Sequence, residues 1–138
     1  MVNIRNFIQS DKDSVVSLWK EIFSSRYLHN DPELAIETKI KHSKDLFFVA
    51  YENNLIVGTV MVGFDGHRGW IYSLAVKPDF RKKGIGTQLM KEAINKLKSL
   101  GCLKVNLQIE EDNSGVVDFY EKIGFSIEDR ISMGMKLY

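Results

Sequence analysis

Seven consecutive residues, Arg81-Lys82-Lys83-Gly84-Ile85-Gly86-Thr87, have the composition of a phosphate cradle. Two glycines let a ligand approach the backbone closely, and three cations precede the second of them. The amides of a helix starting at Ile85 would point outward with the positive end of its dipole. The loop thus predicts a phosphorylated ligand before it predicts a reaction. It lacks both the Gly-Lys-Thr ending of a nucleotide P-loop and the third glycine of a dinucleotide fingerprint. Glu110, Glu111 and Asp112 form a carboxylate cluster that can relay a proton through water or face a helix dipole in solvent. In the turn signal Asp65-Gly66-His67-Arg68-Gly69, His67 can accept an amine proton or bind an anion. The single cysteine, Cys102, excludes an internal disulfide and offers no metal cluster; it heads a strand as a small structural thiol.

These groups need elements to hold them. Val2, Ile4 and Phe7 suggest a first strand, after which Ser10 or Asp11 can cap a helix carrying Val15, Leu18, Trp19, Ile22 and Phe23 at helical spacing. Residues 24–30 read as a loop rich in rings and polar groups. Asp31-Pro32 then places an N-cap before a proline at the first helical position, opening a second helix to about His42. Residues 46–51 and 55–64 are β-rich runs separated by Asn53-Asn54, a pair that tolerates the positive φ of a tight hairpin. Residues 70–76 return as a third strand of the meander, ended by Pro78. Ile85, Leu89, Ala93 and Leu97 recur four apart up to the stop at Gly101, and residues 103–109 alternate as a strand parallel to its predecessor. Residues 113–122 read as a last helix ended by Gly124, and residues 125–138 as a closing pair of strands.

A chain of 138 residues suits one domain over 1–138, burying about 68–70% of its unfolded surface. Apolar residues at 44% and charged residues at 27% are those of an ordinary globular protein, and a net charge of +1 supplies no field for a nucleic acid. The first residues lack the apolar core of a secretion signal, so the default is cytoplasmic, with no membrane partner.

Asn113 and the string Phe119-Tyr120-Glu121-Lys122-Ile123-Gly124-Phe125 complete a pattern that resembles the GNAT superfamily of acetyl-CoA-dependent N-acetyltransferases. Arg81-x-x-Gly84-x-Gly86 matches its pyrophosphate motif, and the order of elements is the family's order. The Asp65 turn, the stretch Asn30-Asp31-Pro32-Glu33 and the acidic cluster look like the bacterial YpeA-type branch. The resemblance implies an α+β fold, a mixed, mostly antiparallel sheet of about seven strands flanked by four helices. It implies that the amides from Arg81 to Thr87, through Lys82, Lys83, Gly84, Ile85 and Gly86, hold the CoA pyrophosphate. The backbone of Leu74, Ala75 and Val76 would pair with the pantetheine arm, with Asn113 as a cap that can also bind it.

In the same resemblance, Tyr120 is the general acid for the departing CoA thiolate and lies beside the cofactor. The base is open: where some relatives carry a glutamate, this strand has Trp70 and Tyr72, which leaves Glu110 or Glu111 acting through water. Tyr27, His29, Asp31, Asp65, His67 and Tyr72 are the candidates for binding the acceptor. The reading is acetyl transfer from acetyl-CoA, with no metal, to a small-molecule or peptide amine by direct attack in a ternary complex. The chain would be a monomer or homodimer, and the alternative is a non-catalytic acyl-CoA sensor.

Overall fold

The computed structural model describes every residue except Arg26, and the backbone alone at Asp112. Arg26, in the loop expected at residues 24–30, and the Asp112 side chain of the acidic cluster therefore lie outside the described residues. Two units are distinguished, Met1–Gln108 and Ile109–Tyr138.

The first unit runs β1 (Asn3–Asn6), α1 (Lys12–Ile22), α2 (Pro32–Ser43), β2 (Phe47–Glu52), β3 (Leu55–Phe64), β4 (Gly69–Val76), α3 (Ile85–Ser99) and β5 (Val105–Asn106). Its strands form one sheet in sequence order, antiparallel except for the parallel β4–β5 pair. Asn53 and Asn54, at φ of 49° and 67°, make the expected two-residue hairpin between β2 and β3. Asp31 caps α2 by accepting from the Leu34 amide at 3.1 Å, with Pro32 following at the first helical position.

Neighbouring residues of β3 reach opposite faces of the sheet, and this fixes where the helices lie. Thr59 meets Trp19 of α1, whereas a Cβ on Gly58 would meet Leu89 and Ile85 of α3. Val15, Leu18 and Trp19, three and four residues apart on α1, are buried with Ile36 of α2 against Phe7, Phe47 and Val49. The Phe47 ring stacks on Phe7 at 4.5 Å and on Trp19 at 5.8 Å. Burying each such side chain contributes about 1.5–3 kcal/mol. Leu89, Met90, Ala93 and Leu97 fill the α3 side.

Two expectations about the sheet are corrected here. Residues 103–109 make a ladder with β4 only at Gly69↔Val105 and Trp70↔Asn106, although the parallel direction is as expected. Leu103, which alternation would turn inward, is 98% exposed. Nor do residues 125–138 form strands, so among the described residues the sheet has five strands rather than about seven. Ile127, Ile131, Met133, Met135 and Leu137 keep a near-alternating apolar pattern yet are 77–92% exposed. Alternation supplies a face; only pairing of backbone groups on a neighbouring strand makes a ladder.

The second unit contains a tight-helical stretch, Glu111–Val116, followed by α4 (Val117–Ile123). Asn113, at φ −115° and ψ 29°, interrupts the tight stretch rather than capping a helix, so the expectation of a cap there is also corrected. The α-helical part starts four residues later than Asn113 and ends, as expected, at Gly124, whose φ is 121°. No helix among the described residues is long and apolar enough to cross a membrane.

Candidate functional site

β4 is bonded along its length to β3 but not evenly. Gly58 pairs with Val76 and Thr59 with Ala75, whereas Met61 pairs with Tyr72, so Ser73 and Leu74 together stand against Val60. This is a β-bulge, and Ser73 adopts a left-handed φ of 51° within it. On the other side of β4 the ladder with β5 stops at Trp70. The stretch from Ile71 to Val76 therefore carries no β5 pairing, and an extended ligand can add there as a strand would.

Just past the strand, Pro78–Phe80 makes a single tight turn before the basic loop. Arg81 folds back, its Nε donating to the Val76 carbonyl at 3.0 Å. Lys82 holds φ 62° and Gly84 φ 82°, and the Lys83 ammonium lies over the Phe80 ring at 5.3 Å. Gly84 is the N-cap of α3 and provides no side-chain cap. The first helical amides, those of Ile85, Gly86 and Thr87, have no intrahelical acceptor by construction, and the first such bond runs from Gln88 to the Gly84 carbonyl at 3.0 Å. An anion is the partner such a terminus favours.

Backbone strain marks the same two places. Among the described residues, four other than glycine have positive φ: the hairpin asparagines Asn53 and Asn54, and Ser73 and Lys82. Asparagine tolerates that region; serine and lysine do so at a cost of about 1–2 kcal/mol. Unfavourable backbone held at the bulge and at the loop is the kind of strain that collects where ligands bind.

The sequence of this bulged strand, glycine-capped helix and basic loop matches the acetyltransferase (GNAT) family over residues 12–125. The chain belongs to the GNAT family. It is an acetyl-CoA-dependent acyltransferase. A relative from Pectobacterium atrosepticum described as an acetyltransferase is 45% identical over 136 residues, covering 99% of this chain and 96% of its own. Among solved structures, Ard1 from Thermoplasma volcanium superposes with a TM-score of 0.82 at 25% identity, over 92% of this chain and 84% of that one. A PaiA N-acetyltransferase from Thermoplasma acidophilum, solved with coenzyme A, shares the fold with a TM-score of 0.78 at 24% identity, over 95% and 93%.

The acetyltransferase carries Leu74, Ala75, Val76 and the loop from Arg81 to Thr87 together in the first unit. In the second unit, the Tyr120 ring packs edge-on to Phe119 at 5.1 Å and Phe125 at 5.8 Å, and burial raises its pKa above the ordinary phenol value. Its carbonyl accepts from the Gly124 and Phe125 amides. Glu110 and Glu111 are exposed, as is Asn113, whose amide donates to the Glu110 carbonyl at 2.9 Å.

Several acceptor candidates have local work of their own. Asp65 Oδ1 accepts from the His67 and Arg68 amides at 2.8 Å each, which holds its carboxyl below the usual range. His67 Nε2 meets the Arg68 guanidinium at 3.2 Å. Tyr27 stacks on His29 at 5.4 Å, and Asp31 is the α2 cap. The half-exposed Tyr72 has its pKa raised by burial and by the Asp65 charge. A cleft of about 350 Å³, lined by Asp13, Ser17, Glu21, Leu55 and Lys77 among others, contains none of the residues expected from sequence.

Lys39 and Thr59 escaped the sequence reading, and Trp19 was read there only as part of the apolar helix face. Lys39 of α2 donates to the Val62 carbonyl of β3, and burial lowers its pKa to about 8. Trp19 and Thr59, both buried, bond to each other at 2.8 Å. A hydroxyl amid Val57, Val60 and Val62 was the available signal for Thr59.

Proposed function

We propose that this acetyltransferase moves the acetyl group of acetyl-CoA to a primary amine by direct attack in a ternary complex. The observation that carries the reading is the conjunction of a strand open on one side with a basic, glycine-capped loop at its end. Lys82 and Lys83 would add mobile charge beside the amides of Ile85, Gly86 and Thr87 on the pyrophosphate, and the backbone of Leu74, Ala75 and Val76 would pair with the pantetheine arm. The cofactor supplies an activated thioester. The amine lone pair forms the new N–C bond while the carbonyl π electrons move to oxygen, where a β4 amide donates. Such a donor is worth about 2.7–4 kcal/mol. The C–S bond then breaks, and the thiolate takes a proton from Tyr120, whose raised pKa keeps the phenol protonated until that moment.

Deprotonation of the amine falls to Glu110 or Glu111 through water, with Asn113 as a further contact to the arm. Tyr27, His29, Asp31, Asp65, His67 and Tyr72 are proposed to shape the acceptor site, and the YpeA-type branch and a single functional domain over 1–138 belong to the same reading. A covalent route through Cys102 is disfavoured because its Sγ donates to the Lys104 carbonyl at 3.3 Å and packs where a Cβ on Gly69 would be, 2.9 Å away.

Free-thiol release from acetyl-CoA across a panel of protein N-termini, lysine peptides, polyamines, amino acids and aminoglycosides tests the reading. Tyr120→Phe should lower turnover by about 10²-fold or more while CoA affinity stays near wild type. Turnover through a kinetically competent acetyl-Cys102, seen by mass spectrometry, would overturn the direct mechanism.

A further inference from the structure

The left-handed Ser73 is tied down from beneath. Its carbonyl accepts from Thr59 Oγ1 at 2.8 Å, and that hydroxyl oxygen in turn accepts from Trp19 Nε1 at 2.8 Å. Thr59 is fully buried and Trp19 is 3% exposed, so no water competes for the bond between them, and the bond onward to Ser73 is part-buried. The polarity of the chain is forced. An indole N–H only donates, so the hydroxyl must accept from it, and its own proton is left for the Ser73 carbonyl. The apolar run of β3 accommodates valine at Val57, Val60 and Val62, all fully buried, and a hydroxyl in their midst is costly unless both of its roles are filled. Here both are filled, and the second is spent on the bulge.

No peptide bond described is cis. Across a trans peptide the carbonyl and the following N–H point in opposite directions, so fixing the Ser73 carbonyl toward Thr59 turns the Leu74 N–H away from it. We propose that Thr59, oriented by Trp19, is a positioning residue for acyl transfer: it locks the 73–74 peptide so that the Leu74 amide faces the thioester carbonyl. Without the lock, that peptide can rotate, Ser73 can leave its strained φ, and the donor no longer waits where negative charge develops. The inference rests on the donor placement proposed above and adds to it the residue that keeps the amide in place.

Acetyl-CoA labelled with ¹³C at the acetyl carbonyl gives a readout that needs no acceptor, and turnover with an amine found by the thiol-release panel gives a second. Bound to the wild type, the carbonyl resonance should move downfield from its free value, because it accepts a hydrogen bond. Thr59→Val should lose most of that displacement and about tenfold in kcat, less than removing an oxyanion donor outright, with KM for acetyl-CoA near wild type. Thr59→Ser should restore both, and Trp19→Phe, which keeps the hydroxyl but frees its orientation, should fall between. An unchanged carbonyl resonance in Thr59→Val, or no restoration by serine, overturns the proposal. Should the valine variant not fold, Trp19→Phe decides: its carbonyl displacement with acetyl-CoA should be smaller than the wild type's while its affinities for acetyl-CoA and CoA stay near wild type, and an equal displacement overturns the lock. A wild type that binds neither compound defeats the donor placement itself, an outcome distinct from these.

Discussion

The two sides of β4 could hardly be used more differently. Toward β3 it is paired from Gly69 to Val76 with one bulge, and α3 covers the joint so closely that a Cβ on Gly58 would lie 3.0 Å from Leu89 Cδ1. Toward β5 it is paired at Gly69 and Trp70 and nowhere beyond. The proposed function makes the β4 backbone a reagent, and such a strand must be held without being consumed; one closed side with one open side suits that. The closed side should therefore govern stability, and the open side should govern the donor.

The sharpest break of this comparison is Leu89→Ala. Leu89 is fully buried over Gly58 on the closed side, and its truncation should cost about 2–5 kcal/mol in denaturant unfolding. A loss of CoA affinity of matching size, with stability intact, would reverse the assignment of the two sides. Gly84→Ala probes the opposite end. A Cβ there meets nothing within 4 Å, so the change acts through φ 82° alone and should cost about 1–2 kcal/mol as the loop resists or relaxes. Relaxation should also weaken CoA binding measured by calorimetry, a loss that Leu89→Ala does not share once both are compared under folded conditions.

The smallest effect expected on thiol release is that of Lys39→Met, on the closed side at Val62. Burial lowers the Lys39 pKa from 10.5 to about 8, so below pH 8 the ammonium is charged in the folded and unfolded chains alike and the fold bears the full desolvation cost. Between pH 8 and 10.5 the unfolded chain holds more protons, wild-type stability rises, and above 10.5 the cost is gone. The methionine variant should be the more stable at pH 7, with the gap closing over that window in thermal melts and thiol release little altered.

What the sequence revealed follows from how local each feature is. The Asn53-Asn54 hairpin and the loop at Gly84 depend on residues that need or tolerate positive φ, and such residues announce themselves. The Ser73 bulge does not, because it is a matter of counting residues against β3, and neither strand contains that count by itself. Thr59 was hidden for the same reason: its partners, Trp19 and Ser73, are 40 residues before it and 14 residues after it. The short β5 and the absence of an assigned strand in residues 125–138 show the converse, an alternation that promises a strand where no ladder follows.

The bond from Arg81 Nε to the Val76 carbonyl turns the stretch between the bulge and α3 into a ruler. It pins the loop to the strand end, so the span from the Leu74 amide to the Ile85 amide is set by a fixed number of residues folded one way. Each residue of extended chain measures up to about 3.6 Å, comparable to the tolerance of a reacting pair. On the proposed donor placement, gain or loss of a single residue there would misplace the thioester by about the length of one residue, so this short segment should tolerate substitution far better than any change of length.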